Sequence, residues 1–133
     1  MSTLLIDGAV ATPRTFDFGA LAALPEQIPD VSVLIPNRRG GGVRLCALLV
    51  AVGASADAQS IELIAADGGF RQTAPLASLA NAVLVYRVSN APLPADDGGP
   101  IRFLVPDNPQ LTGVDRCTNV KGLGHLTVRK EPA

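Results

Sequence analysis

The chain has 133 residues, of which 47% are hydrophobic and 17% charged, and its formal net charge is −1. This composition excludes an intrinsically disordered chain, and the near-neutral charge excludes a global field that would recruit nucleic acid or an acidic membrane. Aromatic residues make up 4% and tryptophan is absent, so few rings are available to stack on bases. We therefore predict one domain over residues 1–133, with no nucleic-acid or membrane partner.

The first part of the chain predicts short strands and two helices. The segments "STLLIDG", "RTFDF" and "DVSVLI" are strand candidates because they alternate or are rich in β-branched residues. "GALAALP" predicts a short helix that ends at Pro25. "VRLCALLVAVGA" predicts a longer helix with Gly53 as its C-cap. The apolar residues of this helix recur at helical spacing, at Leu45, Leu48, Leu49 and Val52.

The rest of the chain predicts mainly strands. "SIELIAA", "FRQTAPL", "VLVYRV", "IRFLVP" and "HLTVRKE" have strand character, "LASLANA" is a short helix candidate, and "NAPLPADDGGP" is a loop dense in turn formers. The helices are too short and too irregularly placed for a doubly wound parallel sheet. We therefore predict an α+β fold, predominantly β, with mixed sheets and short helices.

The cysteines and the N-terminus exclude several classes of protein. Cys46 and Cys117 are the two cysteines of the chain, too few for a disulfide framework or a four-cysteine zinc site. Cys46 lies in an apolar run, so we expect a buried thiol. The N-terminus has no basic region followed by a long apolar stretch, and no apolar run approaches the length of a membrane span. We therefore expect a cytoplasmic location.

Several segments of the chain resemble known binding or catalytic motifs but lack residues that those motifs require. "GGG" lacks the lysine and hydroxyl residue of a phosphate-binding P-loop, and "GLGH" lacks the last glycine of a dinucleotide fingerprint. A single histidine, His125, cannot form a metal site alone, so a hydrogen-bonded structural role is favoured. Asp96 and Asp97 are adjacent on an extended segment, which favours a solvated turn over paired catalytic carboxylates.

Two basic clusters remain as candidate sites. One is the arginine and glycine run Arg38, Arg39, Gly40, Gly41 and Gly42, and the other comprises Arg116, Thr118, Asn119 and Lys121. Glycine lets backbone N–H groups approach an anion, and arginine provides a planar donor fork. Each cluster by itself fits either an anion site or an ordinary polar turn.

The order of the segments resembles the molybdopterin-binding oxidoreductase domain of the sulfite oxidase family. The resemblance covers about residues 28–130 and is carried by "NRRGGGVRLCALLVAVGA", "IELIAADGGF", "LVYRVSNAPLPADDGGPIRFLVP" and "NVKGLGHLTV". It implies an α+β, largely β, fold. It also implies a pterin dithiolene cofactor that carries molybdenum and whose phosphate is held by basic and polar side chains. By position, the implied cofactor-binding residues are Asn37, Arg38, Arg39, Thr118, Asn119 and Lys121.

The chain departs from the family pattern where the metal would be bound. Leu34 stands where the resembling enzymes have a cysteine whose thiolate ligates molybdenum, and leucine has no lone pair to offer a soft metal. Thr118 replaces an arginine and Gly122 a tryptophan of the family pattern. The chain is also short at the N-terminus, where the family places further cofactor contacts.

These departures favour a member of the fold that has lost its redox activity. On this interpretation no residue is catalytic and no metal is expected. The absence of molybdopterin is favoured over its binding. The remaining function would be binding of an anionic or pterin ligand, or of a protein partner or a second copy of the chain. Two alternatives stay open: an active molybdenum oxidoreductase of small oxyanions with altered metal ligation, and an unrelated β-rich binding domain.

Overall fold

The computed structural model describes residues 3–33, 40–66, 68–79, 82–88, 91–94, 99, 101–105 and 119–131. Within them the chain forms eleven strands, two α-helices and two 3₁₀ turns. The strands are β1 Leu4–Gly8, β2 Arg14–Phe16, β3 Gln27–Ile28, β4 Gly41–Arg44, β5 Ser60–Ala65, β6 Arg71–Pro75, β7 Val83–Val88, β8 Ala91–Pro92, β9 Arg102–Leu104, β10 Asn119–Val120 and β11 Leu123–Arg129. The helices are α1 Phe18–Ala22 and α2 Leu45–Val52, and the 3₁₀ turns are Val31–Val33 and Leu76–Leu79.

The strands form two sheets. Sheet I has the order β2-β1-β11-β5-β6, and its β1 and β11 run parallel while its other pairs are antiparallel. Sheet II has the order β10-β9-β7-β4-β3, is antiparallel, and is extended by β8 beside β7. The mixed sheets and short helices confirm the predicted α+β, predominantly β, fold.

Sheet II is apolar on both faces. One face contributes Leu84 and Phe103 to a main core that also contains Leu4 of sheet I and Leu48 of α2. The opposite face carries a second, smaller group of buried residues, here called the small cluster: Ile28, Val31, Val83, Val85, Leu93 and Leu104. The two-sided burial explains why "VLVYRV" is an almost continuous apolar run.

Helix α2 confirms one sequence prediction and corrects another. Gly53 follows the helix in the left-handed conformation with φ 66°, and its N–H donates to the carbonyl of Val50 at 3.1 Å, as expected for the predicted C-cap. The expectation of a buried Cys46 is wrong, because its side chain is exposed. Cys46 is one residue, about 100°, around the helix from Leu45, so it lies off the stripe that packs on the core.

The predicted strand "DVSVLI" is also wrong in its described part. The carboxylate of Asp30 accepts hydrogen bonds from the Ser32 hydroxyl at 2.7 Å and from the Ser32 N–H at 3.0 Å. These bonds curl the backbone into the 3₁₀ turn, and they hold the pKa of the Asp30 carboxyl below its ordinary value. The strand forms instead at Gln27–Ile28.

The remaining differences between the predicted and the observed helices and strands are small. In "LASLANA" the described residues Leu76–Leu79 form a 3₁₀ turn rather than an α-helix. The predicted loop after β7 contributes the two paired residues of β8. The sequence patterns did not predict β3, β4, β8 or β10, three of which have two residues. In the part of the chain described above, no helix is long and apolar enough to cross a membrane.

Candidate functional site

Arg102 is the most buried charged residue on sheet II. It is 8% exposed, and it pairs with Val85 on β7. Val85 pairs in turn with Gly42 on β4, and Gly42 with Ile28 on β3. Residues paired directly across strands share a face of the sheet, and Val85 and Ile28 both belong to the small cluster. Arg102 therefore lies on the small-cluster face, although neither predicted cluster includes it.

The glycine run of the first predicted site leads onto the same face. A β-carbon on Gly40 would lie 3.1 Å from Val85 and 3.6 Å from Leu93, both members of the small cluster. The carbonyl of Gly40 accepts a hydrogen bond from the N–H of Val31 at 2.9 Å. Val31 and Gly40, which lie on either side of segment 34–39 in the chain, are therefore both beside the small cluster. Leu34, and the predicted ligands Asn37, Arg38 and Arg39, lie outside the described residues.

The second predicted site belongs to the same sheet. Asn119 on β10 pairs with Leu104, a member of the small cluster, so its register position is on the small-cluster face. Lys121 follows β10 and is exposed. If the register of β10 and β9 continues by one residue, Lys121 lies opposite Arg102. Thr118 lies outside the described residues. At the usual strand spacing, β10 and β4 are roughly 14 Å apart, with β9 and β7 between them.

The register thus brings parts of both predicted clusters to one sheet and places a buried arginine between them. A guanidinium is charged at all physiological pH values, and its planar fork matches the oxygens of a carboxylate or phosphate. No buried side-chain nitrogen or oxygen among the described residues lacks a hydrogen-bond partner. Arg102 is accordingly held by interactions within the chain.

His125 is held by neighbouring polar groups. Its Nε2 lies 2.9 Å from Oδ1 of Asp7 and 3.2 Å from Oγ1 of Thr127, and Thr127 donates to the same carboxylate oxygen at 3.0 Å. The predicted hydrogen-bonded structural role is confirmed. The arrangement is not a nucleophilic triad, because the carboxylate and the hydroxyl meet the same ring nitrogen.

The metal-binding side chains of the described segments do not cluster. No three histidine, cysteine, aspartate or glutamate side chains in these segments come close enough together to hold a metal ion. Cys46 is exposed on α2 and Cys117 lies outside the described residues. The described residues of the small-cluster face therefore supply no thiolate for a metal.

Comparisons with known proteins point to one family. The family model described as the oxidoreductase molybdopterin binding domain matches residues 32–133. Among solved structures, the sulfane dehydrogenase SoxCD from Paracoccus pantotrophus is similar in fold, with a TM-score of 0.70 and 19% sequence identity. The match covers 98% of this chain and 38% of that chain, so the present chain spans well under half the length of its structural neighbour. No curated protein matches by sequence.

Proposed function

The chain belongs to the family of oxidoreductase molybdopterin-binding domains, and on that premise we propose that it binds a phosphate-class anion on the small-cluster face of sheet II without carrying out redox chemistry. The anion is either free or the terminal phosphate of a pterin. These two sources share one chemistry, a tetrahedral oxyanion with more than one negative charge. The proposed ligands are Asn37, Arg38, Arg39, Thr118, Asn119 and Lys121, together with Arg102.

The observation that supports the proposal is the strand register, which brings the described parts of both predicted clusters to sheet II. Arg102 lies between β4, which follows the predicted arginine segment, and β10, which begins at the predicted Asn119. An anion on this face would meet donors from both sides.

The loss of redox chemistry is proposed from Leu34. The family resemblance implies a metal-ligating cysteine at this position, and a leucine side chain cannot donate electrons to a metal. A bound molybdopterin would carry the metal at which the family's redox chemistry takes place. The residues of this chain would bind and orient the anionic end of that cofactor, with no protein sulfur at the metal.

We expect the purified chain to contain no stoichiometric molybdenum, even from a host that makes the cofactor. The physical reason is the missing thiolate ligand. Elemental analysis for molybdenum, together with fluorescence of the oxidised pterin, measures metal and pterin separately. One molybdenum per chain, with turnover of a small oxyanion, would establish the alternative of an active enzyme. A Leu34→Cys variant tests the reason given, because restoring the thiolate should raise metal retention above the parent level.

We expect Arg38→Ala and Lys121→Ala each to weaken phosphate binding. The loss should be about 1–3 kcal/mol for a charged, partly desolvated contact, and toward the lower end for the exposed Lys121. Isothermal titration with inorganic phosphate and, separately, with a phosphorylated pterin measures both affinities and distinguishes the two sources of the anion. Lys130→Ala is the matched control, since Lys130 is also exposed but follows β11 of sheet I. Equal affinities in all three variants would contradict the shared site.

A further inference from the structure

Helix α2 has an exposed face although all eight of its residues are apolar. Its sequence, "LCALLVAV", contains no charged side chain, and its one polar group is the thiol of Cys46. Leu45 and Val52 pack into the main core. Cys46 is exposed, and Val50, one turn further along the helix, is 81% exposed. A surface helix normally presents polar residues to water, and a helix that is apolar all round is normally covered. The outward face of α2 is therefore a candidate interface.

The segment between β1 and β2 extends this exposed face. The N–H of Ala11 donates to the carbonyl of Gly53 at 2.9 Å, and the N–H of Thr12 donates to the carbonyl of Val52 at 3.0 Å. A β-carbon built on Gly53 would lie 2.9 Å from the β-carbon of Ala11, so this exposed alanine packs directly beside the end of the helix. The uncharged surface formed in this way is here called the α2 patch: Ala11, Thr12, Cys46, Leu49, Val50 and Gly53.

Charges of opposite sign follow the two ends of the backbone beside the α2 patch. Segments 9–12 and 52–55 run antiparallel and are joined by backbone hydrogen bonds. Arg14 comes two residues after the first segment, and Asp57 comes two residues after the second. Antiparallel segments continue in opposite directions, and four extended residues span roughly 13 Å. Arg14 and Asp57 therefore lie beyond opposite ends of this paired backbone.

Both charged side chains are exposed. Cζ of Arg14 lies 4.6 Å from the centroid of the Phe16 ring, which is buried in the main core. Because Arg14 and Phe16 are two residues apart on β2, they share the face of sheet I that packs on the same core as α2. The backbone N–H of Asp57 donates to Oγ of Ser55 at 3.2 Å. Among the residues that the structure describes, neither Arg14 nor Asp57 forms an ion pair.

We infer that the α2 patch is an interface between two copies of this chain, related by a two-fold axis near Val50. Such an axis exchanges the two ends of the patch, so Arg14 of each copy meets Asp57 of the other. A surface that is uncharged at its centre, with opposite charges at its ends, is complementary to itself, which favours a second copy over an unrelated protein. The inference is independent of the proposed anion binding, because α2 packs on the face of sheet II opposite to the small cluster.

Sedimentation equilibrium of the full chain at several concentrations measures the association. We expect the parent chain to show a concentration-dependent equilibrium between monomer and dimer. Val50→Asp should raise the dissociation constant of the dimer about tenfold or more, because it places two carboxylates at the centre of the interface. Val33→Asp is the matched control. Val33 is 76% exposed and lies on the 3₁₀ turn Val31–Val33, so this variant should dimerise like the parent.

Reversal of the two charges tests the two-fold arrangement. Arg14→Glu and Asp57→Lys each place like charges opposite one another across the axis, and each should raise the dissociation constant by about three- to tenfold. The double variant restores opposite charges and should return the constant to within about twofold of the parent value. Recovery in the double variant is a readout that a structural role of either residue within one copy would not produce.

Three outcomes would overturn the inference. A parent chain that stays monomeric at every concentration shows that no second copy covers the α2 patch. A dimer that is equally stable in Val50→Asp and in Val33→Asp has its interface elsewhere. A double variant that does not recover refutes the two-fold pairing of Arg14 with Asp57. All substituted side chains are exposed, so the variants should fold, and circular dichroism checks this. Val50→Asp should bind phosphate like the parent, so a failure of dimerisation is distinguishable from a failure of anion binding.

Discussion

Replacing Arg102 by methionine is expected to weaken phosphate binding by about 30- to 100-fold. Methionine keeps a long unbranched side chain and removes the guanidinium, so the change isolates the charge and its hydrogen bonds. A hydrogen bond to a charged group is worth about 1.5–3 kcal/mol, and Arg102 is 8% exposed, so solvent screens the contact little.

Calorimetric titration with phosphate measures this effect, after circular dichroism has shown that the variant is folded. Arg102→Lys is the conservative companion: it keeps the positive charge and loses the planar fork, so its affinity should fall between those of the parent and the methionine variant. If the methionine variant is folded and binds phosphate like the parent, Arg102 is a structural arginine and the small-cluster face is not the anion site.

Replacing the next residue, Phe103, by alanine is expected to produce the largest loss of stability. Phe103 is fully buried in the main core, on the face of β9 opposite to Arg102. Truncating a buried phenylalanine to alanine costs about 3–5 kcal/mol, because the transfer energy of the ring is lost and a cavity remains. For a domain of this length, such a loss lowers the midpoint of thermal unfolding by roughly 10–20 °C.

Chemical and thermal unfolding measure the change, and phosphate titration of the folded variant at low temperature completes the comparison. Arg102 and Phe103 are adjacent on one strand but face opposite layers, so the two substitutions should separate binding from stability. Phe103→Leu, which keeps an apolar side chain, should lose a smaller part of the free energy of unfolding. A stability of Phe103→Ala within about 1 kcal/mol of the parent would contradict the assignment of this residue to the main core.

Much of the fold follows from short-range patterns. "STLLIDG", closed by Asp-Gly, predicted β1, and the alternation in "HLTVRKE" predicted β11. The leucine spacing and Gly53 predicted α2 and its end. The failures also have local causes that pattern alone does not reveal. The hydrogen bonds from Ser32 to Asp30 turned a β-branched run into a 3₁₀ turn. Strands of two residues, such as β3 and β10, are too short to show any periodicity.

The candidate site was less predictable than the fold. The predicted ligands were indicated by residue type, because basic and polar residues stand beside glycine or asparagine in the sequence. Arg102 lies inside the segment "IRFLVP", whose pattern predicts a strand. The available signal was a charged residue within an otherwise apolar strand.

The family, the mostly β fold and the end of α2 can be read from the chain itself, because they depend on residue types at fixed short spacings and on the order of the segments. The placement of Arg102 between the two predicted clusters cannot be read in this way. It depends on how β9, β7 and β4 pair across long separations in sequence. A shift of one residue in register moves a strand side chain to the other face, so only the assembled sheet settles which arginine faces which layer.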